Sequence, residues 1–213
     1  MQRIVEPEMM DQLPPDDPEV LRSRRDLRVI NFLMGNERWI ARQVGHLPMA
    51  REKGVLEIGA GEGDLLRRLA KEYPAIPLAG CDLAPRPQGL PGQIAWHRHD
   101  VFELRDGVSG GILVANLFLH HFEAPQLMRF RELMRNFEVI CINEPLRGEA
   151  TLVNARVMLP FVGRVTRHDM LVSIRAGFRL GELPALLGLD SAAWRIREES
   201  DWRGGLRVLA CRA

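Results

Sequence analysis

The stretch VLEIGAGEGDL, residues 55–65, constrains this chain more than any other. An apolar run breaks into Gly59, Gly61 and Gly63 and then turns charged. Glycines directly after a strand let the backbone bend sharply and let another group come very close to it. GDLLRRLAKEY then sets Leu65, Leu66, Leu69, Ala70 and Tyr73 on one helical face. Strand, tight turn and helix in that order predict an α/β unit with a ligand at the bend.

The alternation continues. IPLAGCD and QIAWHRHD read as the second and third strands, GGILVANL as the fourth, APQLMRFRELMRN as a helix, and FEVICINEP as a fifth strand too apolar for an edge. Strands that are hydrophobic throughout and separated by helices indicate a parallel sheet covered on both faces. Ahead of the sheet, residues 1–17 read as an irregular arm. DDPEVLRSRRDLRVINFLMG reads as a helix capped by Asp17, with Pro18 in its first turn, Val20, Leu27, Ile30 and Met34 on one face, and Gly35 as its stop. NERWIARQVGHL follows as a second helix with Ile40, Val44 and Leu47 inward. Residues 146–178 carry no clear pattern. FRLGELPALLGL reads as a short helix, and AAWRIREES and GGLRVLACRA as an antiparallel hairpin about a turn at Asp201 to Gly205.

Composition narrows the partners. A chain of 213 residues has room for one domain with a substantial core. A net charge of +1, with Lys53 and Lys71 as the only lysines, argues against long nucleic acids. Cys81, Cys141 and Cys211 are far apart and each sits in an apolar run, so reduced thiols and a cytoplasmic location are expected. The acidic, Pro-rich N-terminus is unlike a signal peptide. The longest stretch without Lys, Arg, Asp or Glu, residues 107–122, is short for a membrane span of ~20 residues.

In an open α/β sheet, ligands bind beyond the carboxyl ends of the strands, at the switch point. Two ligand chemistries suit the glycine bend. A GxGxxG turn receives a pyrophosphate at the helix N-terminus. Here the spacing is GAGEG, with Asp64 where the third glycine would stand and Glu62 beside it. Two carboxylates there repel a pyrophosphate and leave a cationic sulfonium unopposed. The Tyr-x-x-x-Lys pair of a short-chain dehydrogenase is missing, since the only tyrosine, Tyr73, has Pro77 four residues on. Asp82 ends the second strand 19 residues after Gly63, where a carboxylate can accept both hydroxyls of a ribose, and Asp100 ends the third.

In VLEIGAGEG, GCDLAP, RHDVFEL, GILVANLFLHHF and VICINEP, in that order, residues 50–213 resemble the class I S-adenosylmethionine (SAM)-dependent methyltransferases. The resemblance implies a three-layer α/β/α, Rossmann-like fold with seven strands, mostly parallel, and an antiparallel C-terminal strand. Residues 1–50 would be arm and helical cap, and 51–213 the SAM-binding domain. Glu57, Gly59, Ala60, Gly61 and Gly63 would line the methionine part of SAM, and Asp82 would take the ribose hydroxyls. Leu83 would pack on the adenine, with Asp100 on its amino group and Val101 alongside. Asn116 and Leu117 would lie near the sulfonium. The product would be S-adenosyl-L-homocysteine (SAH).

NLFLHHF, the arm EPEMMDQ followed by a helix ending INFLMGN, and the later RHDMLVSIRAGFRLGELPALL are similar to the small-molecule methyltransferases of natural-product and quinone biosynthesis. That subgroup implies a phenolic or polyketide-like acceptor and a lid formed by the N-terminal helices and the insertion around 146–178. O-methylation is favoured over C-methylation because His121 and His120 offer a base, with His121 preferred. Met10, Phe32, Trp39, His168 and Arg175 are acceptor-site candidates. The apolar ones among them read equally as core or as a homodimer contact. His97 and His99, even with Asp100 beside them, have no further metal ligand at a recognisable spacing, so no metal is expected. A non-catalytic SAM-binding partner protein is the first alternative, a nicotinamide oxidoreductase the second.

Overall fold

The computed structural model describes residues 1–104 and 110–213. The first residues of the uncharged stretch, 107–109, lie outside the described residues. Four helices come first: α1 (Met9–Gln12), α2 (Pro18–Met34), α3 (Asn36–His46) and α4 (Pro48–Lys53). Asp17 caps α2 by accepting from the Glu19 N–H, and Gly35 ends it with φ 69°. Its buried residues are Val20, Ser23 and Ile30, with Leu27 and Met34 half-buried, the face expected from spacing. α1 and α4 are the differences from the sequence reading. α4 opens on Pro48 and closes at Gly54, φ 81°, too short for a periodic signal.

β1 (Val55–Ile58), α5 (Asp64–Glu72), β2 (Leu78–Asp82), β3 (Ala95–Arg98), β4 (Gly110–Asn116), α6 (Ala124–Met134) and β5 (Phe137–Pro145) follow in the expected alternation. The patternless segment resolves into α7 (Glu149–Met158) and α8 (Arg164–Ala176). α8 buries Thr166 and Asp169 beside Val165, Val172 and Ile174, so buried polar residues blur its apolar period. The chain closes with α9 (Glu182–Leu186), β6 (Trp194–Ser200) and β7 (Gly205–Arg212).

The seven strands form one sheet in the order β3-β2-β1-β4-β5-β7-β6. The first five strands are parallel, β7 runs antiparallel between β5 and β6, and β5 is indeed internal. Alternation splits the core in two. Leu113, Ala115, Ile140 and Ile142 face a cluster with Leu127 and Phe130 of α6. Ile112, Val114, Val139 and Cys141 face Ile40 and Val44 of α3 and Leu66 and Leu69 of α5. The three layers follow from that period of two. The order reverses between β1 and β4, so the switch point opens between their carboxyl ends. α1 and α2 pack on α8, and α8 on the single 3-10 turn Leu119–His121 that follows β4.

Candidate active site

The β1–α5 bend is left-handed at Gly59, Gly61 and Gly63, with φ of 65°, 49° and 73°. At Gly59 the reason lies within the chain, because a Cβ there would overlap the Phe118 ring. At Gly61 a Cβ would meet nothing within 4 Å, so its bare face is open to whatever docks on it. The Gly61 N–H donates to Asp82 Oδ2 at 2.8 Å and the Ala84 N–H to Oδ1 at 2.9 Å. Asp82 thus stitches the two loops together, and each oxygen keeps a further lone pair for a hydroxyl. Beside it Leu83 is 71% exposed, an apolar shelf at the end of β2. At the end of β3, Asp100 is exposed and accepts from the Phe102 N–H at 2.9 Å, and Val101 is buried.

Glu57 lies in β1, close enough to Asp64 and Asp82 at that bend for their charges to act on it. It is buried, and its Oε2 has no hydrogen-bond partner among the described residues. Burial, and then the charges of Glu37, Asp64 and Asp82, push its carboxyl well above the ordinary range. A lone buried carboxylate in acidic company is costly and is relieved by a cation or a donor.

At the end of β4 the Asn116 Oδ1 accepts from Asn143 Nδ2 at 2.9 Å. Leu117 has φ 54°, a left-handed conformation that costs a branched residue energy, and is pinned by its N–H to the Asn143 carbonyl at 2.8 Å. The turn behind it is organised by Glu144 of β5. This fully buried carboxylate accepts from the N–H groups of Phe118 (2.9 Å), Leu119 (2.7 Å) and His120 (3.3 Å). It also meets His120 Nδ1 at 2.7 Å. On the other side, His120 Nε2 lies 3.4 Å from Oε1 of Glu8, a buried residue of the arm that Ser173 also holds. Burial pushes the His120 imidazole down, but the hydrogen bonds and charges of Glu144 and Glu8 outweigh it and raise it to about 9. His121 stacks on His120, with centroids 4.2 Å apart and a tilt of 32°. Burial and then the His120 charge lower the His121 imidazole. Burial raises the Glu8 carboxyl, and the His120 hydrogen bond and charge more than reverse that.

The structure therefore gathers Glu57, Gly59, Ala60, Gly61, Gly63 and Asp82 at one end of the switch point, and Asn116, Leu117, His120 and His121 at the other. Phe118 bridges the two. The acceptor-site candidates do not gather in the same way. Met10 is tied through its N–H to Asp169 of α8 at 3.0 Å. His168 is exposed and meets that same carboxylate at 2.9 Å. Arg175 is exposed, and its carbonyl accepts from the Ile4 N–H at 3.2 Å. Phe32 is 66% exposed on α2, and Trp39 is buried in the core cluster of α3. Glu8, Ser173 and Glu144 were not singled out from the sequence. Glu144 left a signal, a charge directly after the apolar run Val139–Ile142 and Asn143 of FEVICINEP; Glu8, in an irregular arm, left none.

No family model and no curated protein matches the chain. Solved structures do. The plantazolicin methyltransferase BpumL, in complex with a monoazolic desmethylPZN analog and SAH, aligns with a TM-score of 0.69 over 92% of this chain and 91% of its own, at 13% identity. The chain has the class I methyltransferase fold. The pyocyanin biosynthetic protein PhzM aligns at 0.62 and 15% identity over 93% of this chain and 60% of its own. Human N-acetylserotonin methyltransferase in complex with SAM aligns at 0.57 and 16% identity, over 95% of this chain and 61% of its own. The glycine bend of β1, Asp82 closing β2 and Asp100 following β3 share the carboxyl end of these parallel strands. Among the described residues no helix is long and apolar enough to cross a membrane.

Proposed function

We propose that the chain transfers a methyl group from SAM to a small organic acceptor, a phenolic or polyketide-like molecule, by O-methylation. The observation that carries this reading is Glu57, a buried carboxylate with an unpartnered oxygen at the open glycine bend. With Glu37, Asp64 and Asp82 around it, the bend suits a cationic ligand without phosphates. SAM fits, because it carries an ammonium and a sulfonium beside its adenosine. When bound, it supplies an activated methyl group. Gly61 and its neighbours would face the methionine part, Asp82 the ribose, Leu83 and Val101 the adenine, and Asp100 its amino group. Asn116 and Leu117 would flank the sulfonium.

The remaining task is alignment of the acceptor, an effect that can be worth about 7–11 kcal/mol. His120 has a carboxylate on each ring nitrogen and no lone pair to offer an acceptor. Among the described residues the His121 ring takes no side-chain hydrogen bond, and it is the reading for the base that takes the acceptor's hydroxyl proton. Three proteins that share the fold bear names for plantazolicin methylation, pyocyanin biosynthesis and N-acetylserotonin methylation, which supports a small acceptor. The net charge of +1 supports the exclusion of long nucleic acids. Three free thiols support a cytoplasmic location, and the exposed Val29, Phe32 and Leu33 of α2 support a homodimer contact.

Titration with SAM, SAH and NAD(H) tests the reading. SAH should raise the melting temperature and NAD(H) should not; the reverse would mean an oxidoreductase. Asp82→Ala should weaken SAH at least tenfold by calorimetry, and unchanged affinity would sink the ribose assignment. SAH binding without turnover on any phenolic acceptor would favour the non-catalytic SAM-binding protein.

A further inference from the structure

One cluster has more in it than a base and its partner. Glu8, His120 and His121 each offer a ligand atom, and these atoms lie within 4.8 Å of one another. Glu8 and His120 are more than nine-tenths buried. Carboxylate oxygen and imidazole nitrogen are the donors that zinc-class cations take together.

The spacing is informative. Glu8 Oε1 and His120 Nε2 are 3.4 Å apart. That is long for a charged hydrogen bond, which closes to about 2.7–2.9 Å. It matches two donors on one tetrahedral zinc: ligands at about 2.0–2.1 Å from the metal stand about 3.3 Å from each other. The far side of His120 agrees. Its Nδ1 meets the Glu144 carboxylate at 2.7 Å, and metal-binding histidines pass their second ring nitrogen to a carboxylate in this way. Glu144 is itself fixed by two short backbone bonds, and Ser173 fixes Glu8, so both supports are built into the fold.

Charge points the same way. Glu8 and Glu144 flank one imidazole, and Asp11 and Asp169 lie on the same side of the arm. Two carboxylates against one imidazolium leave a negative charge over; a dication with a neutral imidazole leaves none. The Arg3 guanidinium donates to the carbonyls of His120 and Phe122. The His121 ring, stacked on His120, needs only to turn toward Glu8 to become the third ligand. A fourth position would stay open to water or to an outside oxygen.

We propose that Glu8, His120 and His121 form a binding site for one divalent cation of the zinc class, with Glu144 as the orienting carboxylate behind His120. The cation takes the place of the proton between His120 and Glu8, which is released to solvent. It joins the arm to the loop after β4. It also occupies the lone pair of His121, so it switches methyl transfer off; that last clause alone rests on the proposed function.

The test is calorimetry of the full chain with zinc chloride, and cobalt(II) absorption as a report on ligand geometry. One zinc per chain is expected, with a tetrahedral-type cobalt spectrum. Glu8→Gln and His121→Ala should each weaken zinc at least tenfold, while SAH still raises the melting temperature of both variants. Should Glu8→Gln fail to fold, His121→Ala carries the test, since it leaves the His120–Glu144 pair in place. No zinc binding at 100 μM, or zinc binding unchanged in His121→Ala, overturns the site and leaves only a doubly hydrogen-bonded imidazolium. Loss of SAH binding in the parent chain would sink the methyltransferase reading and leave the zinc result standing.

Discussion

The two ends of the switch point are built in opposite ways. At the β1 end, the groups are open. Gly61 has nothing against its bare face, Leu83 is largely exposed, and a Glu57 oxygen is unpartnered among the described residues. At the β4 end, the groups are already satisfied. Glu144 accepts from three backbone N–H groups and a histidine, and Glu8 closes over the other side of that histidine. One end spends stability on groups that await a ligand; the other uses the chain's own arm as the partner. Under the proposed function, the site for a diffusible donor is left open, whereas the loop that carries His121 is fixed through its neighbour His120.

The largest expected effect tests the closed end. Glu144→Ala removes the carboxylate that accepts from three backbone N–H groups of the turn, and breaking a buried pair of this kind costs about 3–5 kcal/mol. Thermal or urea unfolding reads it, and a loss within experimental error would mean that the closed end is not held as described. Gly61→Ala tests the open end. The left-handed φ of 49° makes a side chain cost about 1–2 kcal/mol of stability, while SAH affinity should fall at least tenfold, because the ligand comes to the face where the methyl would stand. If stability falls and affinity does not, the bend is only a turn.

Glu57→Gln sharpens the comparison. A carboxyl raised in the folded chain contributes stability that is full below its unfolded value near 4.5 and is lost as pH rises through the folded value. The amide does not titrate. The ligand-free variant should therefore gain on the parent as pH rises from acid to neutral, by about 1–2 kcal/mol, while losing SAH affinity. A stability difference that does not shift in favour of the variant as pH rises would contradict the raised carboxyl. Smallest of all, Leu83→Ala should leave stability unchanged and weaken SAH about three- to tenfold by calorimetry, the value of one apolar shelf.

Much of the β1 end was legible in the sequence because its residues are close together in it. Strand, glycine bend, helix and the acids Asp82 and Asp100 lie between residues 55 and 101, each marked by a local rule of turn chemistry or strand ending. The helix boundaries at Asp17, Pro18 and Gly35 were legible for the same reason. α4 was not, since six residues hold too little periodicity to register. α8 was not, because Thr166 and Asp169 are buried to serve α2 and the arm, and such residues read as surface.

The sequence by itself determined the layer architecture, the order of the strands along the chain and the acidic, glycine-lined bend, because apolar period and backbone freedom are local properties. Only the tertiary structure decided which histidine is held and which is free. His120 and His121 are neighbours with the same local chemistry. They differ because Glu144, 24 residues onward, and Glu8, 112 residues back, converge on one of them, and that convergence is a property of the fold.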